Sequence, residues 1–316
     1  MVLREVVYED AYSSVAADDV EACLRCGSVT VTKKGRTADG SQRWLCHDCH
    51  RTFSGSTSRV IGMSKLPASV WMQYVECFVD ALPLRVCATR CHVGLRTAWL
   101  MRHRLLECIQ RYLPDFHAGA GDGVQVDETY FRENFKGNYT HSKNDLPRPA
   151  RSRGASLKKR GLSKEQMCVM TGIDDQGAVF LDLCGRGAPT KDQALSALAG
   201  RVGRGAEVMT DKATAYRDVL STLGATHTAV LADSHGINRV NTLHSLLGRF
   251  MHRFHGVATK HLTAYLIWFQ WRRTFQTADT DAAKVTTRQI ANGVCQRSTT
   301  SWVGVESPYM EYWLAA

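Results

Sequence analysis

Two aspartates and one helix face carry the chemistry that this sequence offers. Asp127 lies in the alternating run Val124-Gln125-Val126-Asp127-Glu128-Thr129-Tyr130-Phe131, which reads as a strand over 124–131. Asp211 closes a second strand over 206–210. Farther on, Ile237, Val240, Leu243, Leu247, Phe250, Met251 and Phe254 recur at helical spacing, and Asn238, Asn241, Ser245 and His252 fall on another face of the same helix. Two strand acids and a polar helix residue can converge on a metal site. The alternative for such a face is plain solvation. Glu128 should point to the sheet face opposite Asp127, because side chains alternate along a strand. Asp174 and Asp175 read as turn residues. His235 and His244 lie near the site, but a single histidine is more often structural than a ligand.

A second site is written in cysteine. Cys23-Leu24-Arg25-Cys26 and Cys46-His47-Asp48-Cys49 are two C-x2-C knuckles separated by 19 residues. Two residues between thiols let both thiolates of a knuckle reach one tetrahedral zinc, and four thiolates close the site to chemistry, so this zinc is structural. The alternative, a redox pair, needs only one knuckle. His47 and His50 are spare donors. The spacer reads as a hairpin with strands over 29–33 and 43–45 and Asp39-Gly40 at its turn. The other seven cysteines sit in apolar contexts, where a free thiol behaves as a small hydrophobe, and point to a reducing cytoplasm.

The elements that must position the acids follow in order. Strands over 167–173 and 178–183 flank the turn Asp174-Asp175-Gln176-Gly177. Thr190 with Gln193 is a capping box that opens a helix through about 202. After the strand ending at Asp211 come a helix over 213–223, stopped by Gly224, a fifth strand over 227–231, the helix over 237–254 and an aromatic-rich helix over 261–275. Three meandering strands followed by alternating helices and strands suit an α/β fold with a mixed five-stranded sheet, the ribonuclease-H-like order. There the first strand is central and the fourth lies beside it, which makes Asp127 and Asp211 neighbours.

Before this half, Pro67 opens a helix carrying Val70, Trp71, Tyr74, Val75, Phe78 and Val79. A short helix over 84–91, a His92-Val93-Gly94 turn and a longer helix over 95–113 make a helix-turn-helix pattern, with a plain helical spacer as the alternative. Arg85, Arg90, Arg96, Thr97, Arg102, His103 and Arg104 are its candidate DNA contacts. An insertion over 132–165 is basic and rich in Pro and Gly; its Arg151, Arg153, Lys158, Lys159 and Arg160 suit phosphate contact, or else plain solvation. The domain reading is an acidic segment 1–20, a zinc ribbon 21–58, a helix-turn-helix domain 62–115, a catalytic domain 122–276 and an extension 277–316. The 316 residues carry a net charge of +10, which favours a polyanionic partner. No apolar run reaches membrane-spanning length, and the acidic start is not that of a signal peptide.

Together the zinc ribbon, the segment SKLPASVWMQYVECFVDALPLRVCATRC, the motifs VDETYF and MTDKATAY, and INRVNTLHSLLGRFMHRFHGVATKHLTAYL resemble insertion-sequence transposases of the DDE superfamily, in the insertion-sequence 1595 family. The resemblance runs over about residues 23–273. It implies a metal-dependent DNA strand transferase. Its catalytic set would be Asp127, Asp211 and, at the position where most of the superfamily has Glu, Asn241, as in an Asp-Asp-Asn subgroup; Asn238 is the rival for the third place. It implies two magnesium or manganese ions on those three residues, one structural zinc, and double-stranded DNA (terminal inverted repeats and target) as partner. A homodimer or higher oligomer on DNA, in the cytoplasm at the nucleoid, is the expected state. The competing readings are a catalytically inactive, domesticated transposase acting as a DNA-binding regulator, and a hydrolytic nuclease of the same fold.

Overall fold

In the computed structural model the described residues are 20–38, 40–57, 59–62, 64–136, 162–211, 214–230, 236–276, 280–293, 295, 297 and 299–314. They fall into two compact units. One runs up to Tyr112 and takes in Phe275–Gly304; the other is Leu113–Thr274 with Val305–Ala316.

The first unit begins with three antiparallel strands, β1 (Val31–Arg36), β2 (Gln42–Cys46) and β3 (Thr52–Ser54). Trp44 and Phe53 bury against Cys23 and Cys46, so the ribbon's small core is built on two of the four knuckle cysteines. A unit this small buries little apolar surface on its own. Helices α1 (Ala68–Val79), α2 (Leu84–Arg90) and α3 (Leu95–Ile109) follow. The α2–α3 turn takes its left-handed residue at His92 (φ 51°), while Gly94 caps α3 in an extended conformation. Helices α8 (Ala282–Asn292) and α9 (Thr299–Val303) complete the unit. Gln289 O accepts from Cys108 Sγ at 3.2 Å and from Tyr112 Oη at 3.1 Å, and Trp302 packs edge-on to Trp99. The segment beyond 277 therefore closes the core that the helix-turn-helix stretch alone leaves open.

The second unit is a five-stranded sheet. Its strands are β4 (Gly123–Arg132), β5 (Gln166–Asp174), β6 (Val179–Arg186), β7 (Glu207–Thr210) and β8 (Thr226–Ala229), in the spatial order β6-β5-β4-β7-β8. β4, β5 and β6 form an antiparallel meander, and β7 and β8 add in parallel beside β4. This is the ribonuclease-H-like arrangement. One face packs on α4 (Lys191–Leu198) and α5 (Thr214–Leu223) through Val124, Val126, Cys168, Met170, Val208, Ala194, Leu198, Val219 and Leu220. The Thr190–Gln193 capping box opens α4. Gly172 leaves room for the Phe180 ring, which would meet any Cβ there at 2.1 Å.

The other face carries α6 (Asn238–His252) and α7 (Leu262–Phe275), which pack together through Phe250, Phe254, Tyr265 and Trp268, ring centroids 4.9–5.6 Å apart. The short α10 (Glu311–Leu314) brings the chain end back to this unit. Arg186, buried and paired with Glu133, donates to Tyr309 O at 2.9 Å and lies 5.1 Å from the centre of the Tyr312 ring. Among the described residues no helix is long and apolar enough to cross a membrane.

Candidate active site

β4 pairs in parallel with β7 at Gly123–Glu207, Val124–Val208 and Gln125–Met209. Continued by two residues, this register sets Asp211 beside Asp127 on the same sheet face. On the other side, β5 places Thr171 opposite Asp127. Thr171, Asp127 and Asp211 thus form a row across three strands, beneath α6.

Gln125, two residues before Asp127 on the same face, holds that helix. Its Oε1 accepts from the amides of Arg239 (2.9 Å) and Val240 (3.2 Å), and its Nε2 donates to Gly236 O at 2.9 Å. These amides belong to the first turn of α6, which has no side-chain cap of its own. Arg239 adds a bond to Asp174 O at 3.0 Å and an ion pair with Asp175 at 2.6 Å. So Asp174 and Asp175, at the β5–β6 turn, also tie down α6.

The helix residue brought to Asp127 is His244. Its Nδ1 lies 3.8 Å from Asp127 Oδ2 and its Nε2 lies 2.7 Å from Thr171 Oγ1. Thr171 Oγ1 also donates to Asp127 O at 2.8 Å. Asn241 is exposed one turn earlier. Asn238 lines a shallow groove with Ile173, Arg239, Thr242, Leu246 and Arg273. The expected third position, Asn241 or its rival Asn238, thus lies on the same helix that brings His244 to Asp127. Sequence reading placed His244 near the site but set it aside as structural, and it did not single out Thr171 or Gln125. The available signal was the shared face of Gln125 and Asp127.

Glu128 does face the other side, as alternation requires, and accepts from Tyr216 Oη of α5 at 2.6 Å. The carboxylates are crowded. Burial, with the charges of Glu128 and Asp211 adding, pushes Asp127 up to about 7. Burial also raises Glu128, against the opposing bond from Tyr216, with Asp211 adding. Burial lowers His244 to about 4. A hard dication answers this donor set, because carboxylate oxygens are its preferred ligands and its charge offsets their repulsion. Asp127 and Asp211 fit such an ion.

At the ribbon, Cys23, Cys26, Cys46 and Cys49 bring their sulfurs within 4.8 Å of one another, with Cys23–Cys49 at 3.8 Å and Cys26–Cys46 at 3.6 Å. Sulfurs bound roughly 2.3 Å from a tetrahedral zinc lie about 3.8 Å apart, so the four fit that ion. His47 turns away to Thr32 Oγ1, 3.0 Å distant.

The candidate DNA residues divide. Arg85, Arg90 and Arg96 are exposed and Thr97 is half-buried around the start of α3. Arg102 is only 1% exposed and donates to Leu82 O at 2.5 Å, with Cys87 Sγ 3.3 Å away. His103 is buried and stacks on Trp99 at 4.1 Å. Arg104 is half-buried and donates to Val60 O at 3.0 Å. These last three face into the helical core because α3 buries its middle turns, and Arg102 and His103 are corrected from DNA contacts to core residues. Arg151, Arg153, Lys158, Lys159, Arg160 and His235 lie outside the described residues.

Residues 119–274 match the ISXO2-like transposase domain family. The chain is 27% identical over 259 residues to an uncharacterized protein in transposable element ISH50 of Halobacterium salinarum, covering 79% of this chain and 84% of that one. Among solved structures, Mos1 transposase in its paired-end complex with the left transposon end aligns with 66% of this chain and 76% of its own, at 18% identity and a TM-score of 0.29. A chain of the simian T-cell lymphotropic virus intasome aligns with 62% of this chain and 67% of its own, at 14% identity and a TM-score of 0.29.

Proposed function

Because the chain belongs to the insertion-sequence 1595 family of transposases, we propose that it binds the ends of a mobile DNA element and catalyses metal-dependent strand cleavage and strand transfer. The observation that carries this reading is the parallel pairing of β4 with β7, whose register, continued by two residues, sets Asp211 beside Asp127 within the segment that matches the transposase domain. Two magnesium or manganese ions held there would supply Lewis acidity for phosphoryl transfer between a phosphodiester and water or a DNA 3′-hydroxyl. The protein's own part is placement. β4 and β7 fix the two carboxylates, and Gln125 fixes the helix above them.

DNA recognition is assigned to the start of α3 and the end of α2, where Arg85, Arg90 and Arg96 are exposed with Thr97 beside them. The N-terminal residues of the second helix are those that reach base edges in a helix-turn-helix. The four-cysteine zinc ribbon supports end recognition, and the domains act as a dimer or higher oligomer that pairs two element ends.

The test uses the full-length protein and duplexes carrying the inverted repeats that flank its gene. Asp127→Ala and Asp211→Ala are each expected to lose cleavage and joining while retaining end binding. Metal-dependent cleavage that survives in either variant overturns the assignment. A wild-type protein that binds ends and never cuts them supports a DNA-binding regulator instead.

A further inference from the structure

We infer that the exposed face of α6, past the point where the helix meets Asp127, is a track for DNA: Gly248 lets a phosphodiester backbone lie directly against the helix, and Arg249 holds its phosphate. This deepens the reading of Asp127 and Asp211 as the site of strand cleavage and rests on it.

The first argument is charge. Residues 234–278 hold six Lys and Arg and no Asp or Glu, although 30 of the 316 residues are acids. That stretch takes in the whole of α6 and α7. A face that is merely solvated mixes both signs, with opposite charges one turn apart stabilising the helix. No such pair can form here. On α6, Asn241, Ser245, Gly248, Arg249 and His252 recur at helical spacing, and all are exposed. Basic residues in a last turn suit a helix C-terminus, but that accounts neither for the missing acids of α7 nor for the glycine. The same sign continues past the helix end. Lys136 Nζ donates to Gly256 O at 3.3 Å, and Asn134 bonds Thr259 twice at 2.8 Å, so the start of the basic insertion is stitched beside it. A basic face next to a basic insertion takes a polyanion, not a second copy of a chain whose net charge is +10.

The second argument is Gly248 itself. It sits in the body of α6 without a left-handed φ, and a Cβ added there would meet nothing within 4 Å among the described residues. Glycine in a helix interior costs stability relative to alanine, because it loses more backbone freedom on folding. The packing of the described residues gives no return for that cost. Glycine is also the residue that admits the closest approach of another backbone, and a ligand strand on this face supplies the reason the protein's own packing lacks.

The third argument is position. His244 stands over Asp127, and Gly248 follows one helical turn later, about 6 Å along the axis, with Arg249 beside it. At about 3.4 Å of rise per nucleotide, that is the reach of the one or two phosphates next to the scissile one. A guanidinium there matches a phosphate with two parallel hydrogen bonds.

The experiment uses the full-length protein with two duplexes, one carrying the inverted repeat that flanks its gene and one of unrelated sequence. Arg249→Ala should lower the slope of log affinity against log salt by about 0.9, and Arg249→Lys should keep the slope. A change on the first duplex alone assigns the track to the element end, and a change on the second alone assigns it to target DNA; either supports the inference. Lys191→Ala, which removes a charge from α4 on the opposite face of the sheet, should leave both slopes unchanged. Gly248→Ala should raise the melting temperature by roughly 2–4 °C yet slow cleavage severalfold, and Gly248→Gln should slow it at least tenfold. A glycine with a purely structural role would not move stability and cleavage in opposite directions. Cleavage by Gly248→Gln at the wild-type rate overturns the inference and leaves the function reading standing. So does an unchanged slope for Arg249→Ala on both duplexes, which would give this face to the acidic segment 1–20 or to a second copy. Cleavage that survives in Asp127→Ala overturns the function reading instead, and the salt slopes still decide whether α6 lies on DNA.

Discussion

Gln125→Leu should detach α6 from the sheet without touching any residue that bears charge. Gln125 is only 6% exposed, and its amide group makes three bonds, two of them to first-turn amides that have no other cap. Leucine occupies a similar volume but leaves two N–H groups and one carbonyl without partners. At about 1 kcal/mol for each lost bond the loss is roughly 3 kcal/mol. In a domain of this size that lowers the melting temperature by roughly 6–12 °C. Gln125→Glu keeps the acceptor and adds a charge that suits a helix N-terminus, so it should lose about 1 kcal/mol, the share of the bond to Gly236. Hydrogen exchange on the full-length protein reads the local effect: the amides of residues 239–243 should exchange faster in Gln125→Leu, while those of β1–β3 stay unchanged. A Gln125→Leu protein with unaltered exchange at 239–243 and an unaltered melting temperature would refute the claim that this glutamine sets the helix.

The zinc ribbon and the helix-turn-helix give two further expectations. Metal analysis should find one zinc per chain, and Cys46→Ser or strong chelation should remove it and abolish amide protection in β1–β3, because the buried core there is built on the ligands; a zinc-free wild-type protein with a folded ribbon contradicts this. Arg96→Ala should weaken binding to every DNA sequence tested or to one base position, and lower the slope of affinity against salt by about 1 if its contact is to phosphate. Arg102→Ala should instead lower the melting temperature and leave that slope unchanged, since its guanidinium bonds Leu82 O inside the unit; a changed salt slope without lost stability returns it to the DNA surface.

The sheet was legible because its signals are local. Alternation along 124–131, the turn at Asp174–Gly177 and the Thr190–Gln193 capping box each need only a few neighbouring residues, and all three stand in the structure. The strand β3 was not legible, since three residues carry too little pattern. Helix α8 was not legible for another reason. Its partners Cys108 and Tyr112 are more than 170 residues away, and its apolar positions acquire meaning only against them. Arg102 was misread because a helical arginine at the right place for DNA looks the same in sequence whether its guanidinium faces phosphate or a buried carbonyl.

The active site shows the same limit in its sharpest form. Spacing along α6 gives the phase of each residue around the helix, and on that count Asn241 and His244, three residues apart, share a face. Spacing does not give how far along the sheet the helix starts. That height is set by a contact 115 residues away in sequence, Gln125 to the Val240 amide. With the pin at Gln125, His244 arrives at Asp127; a pin one helical turn later on α6 would have brought a different residue there. Which residue of α6 stands over Asp127 is therefore encoded less in the helix than in the strand residue that holds it. A glutamine two places before that aspartate is the feature in this chain that fixes which polar residue of α6 meets it.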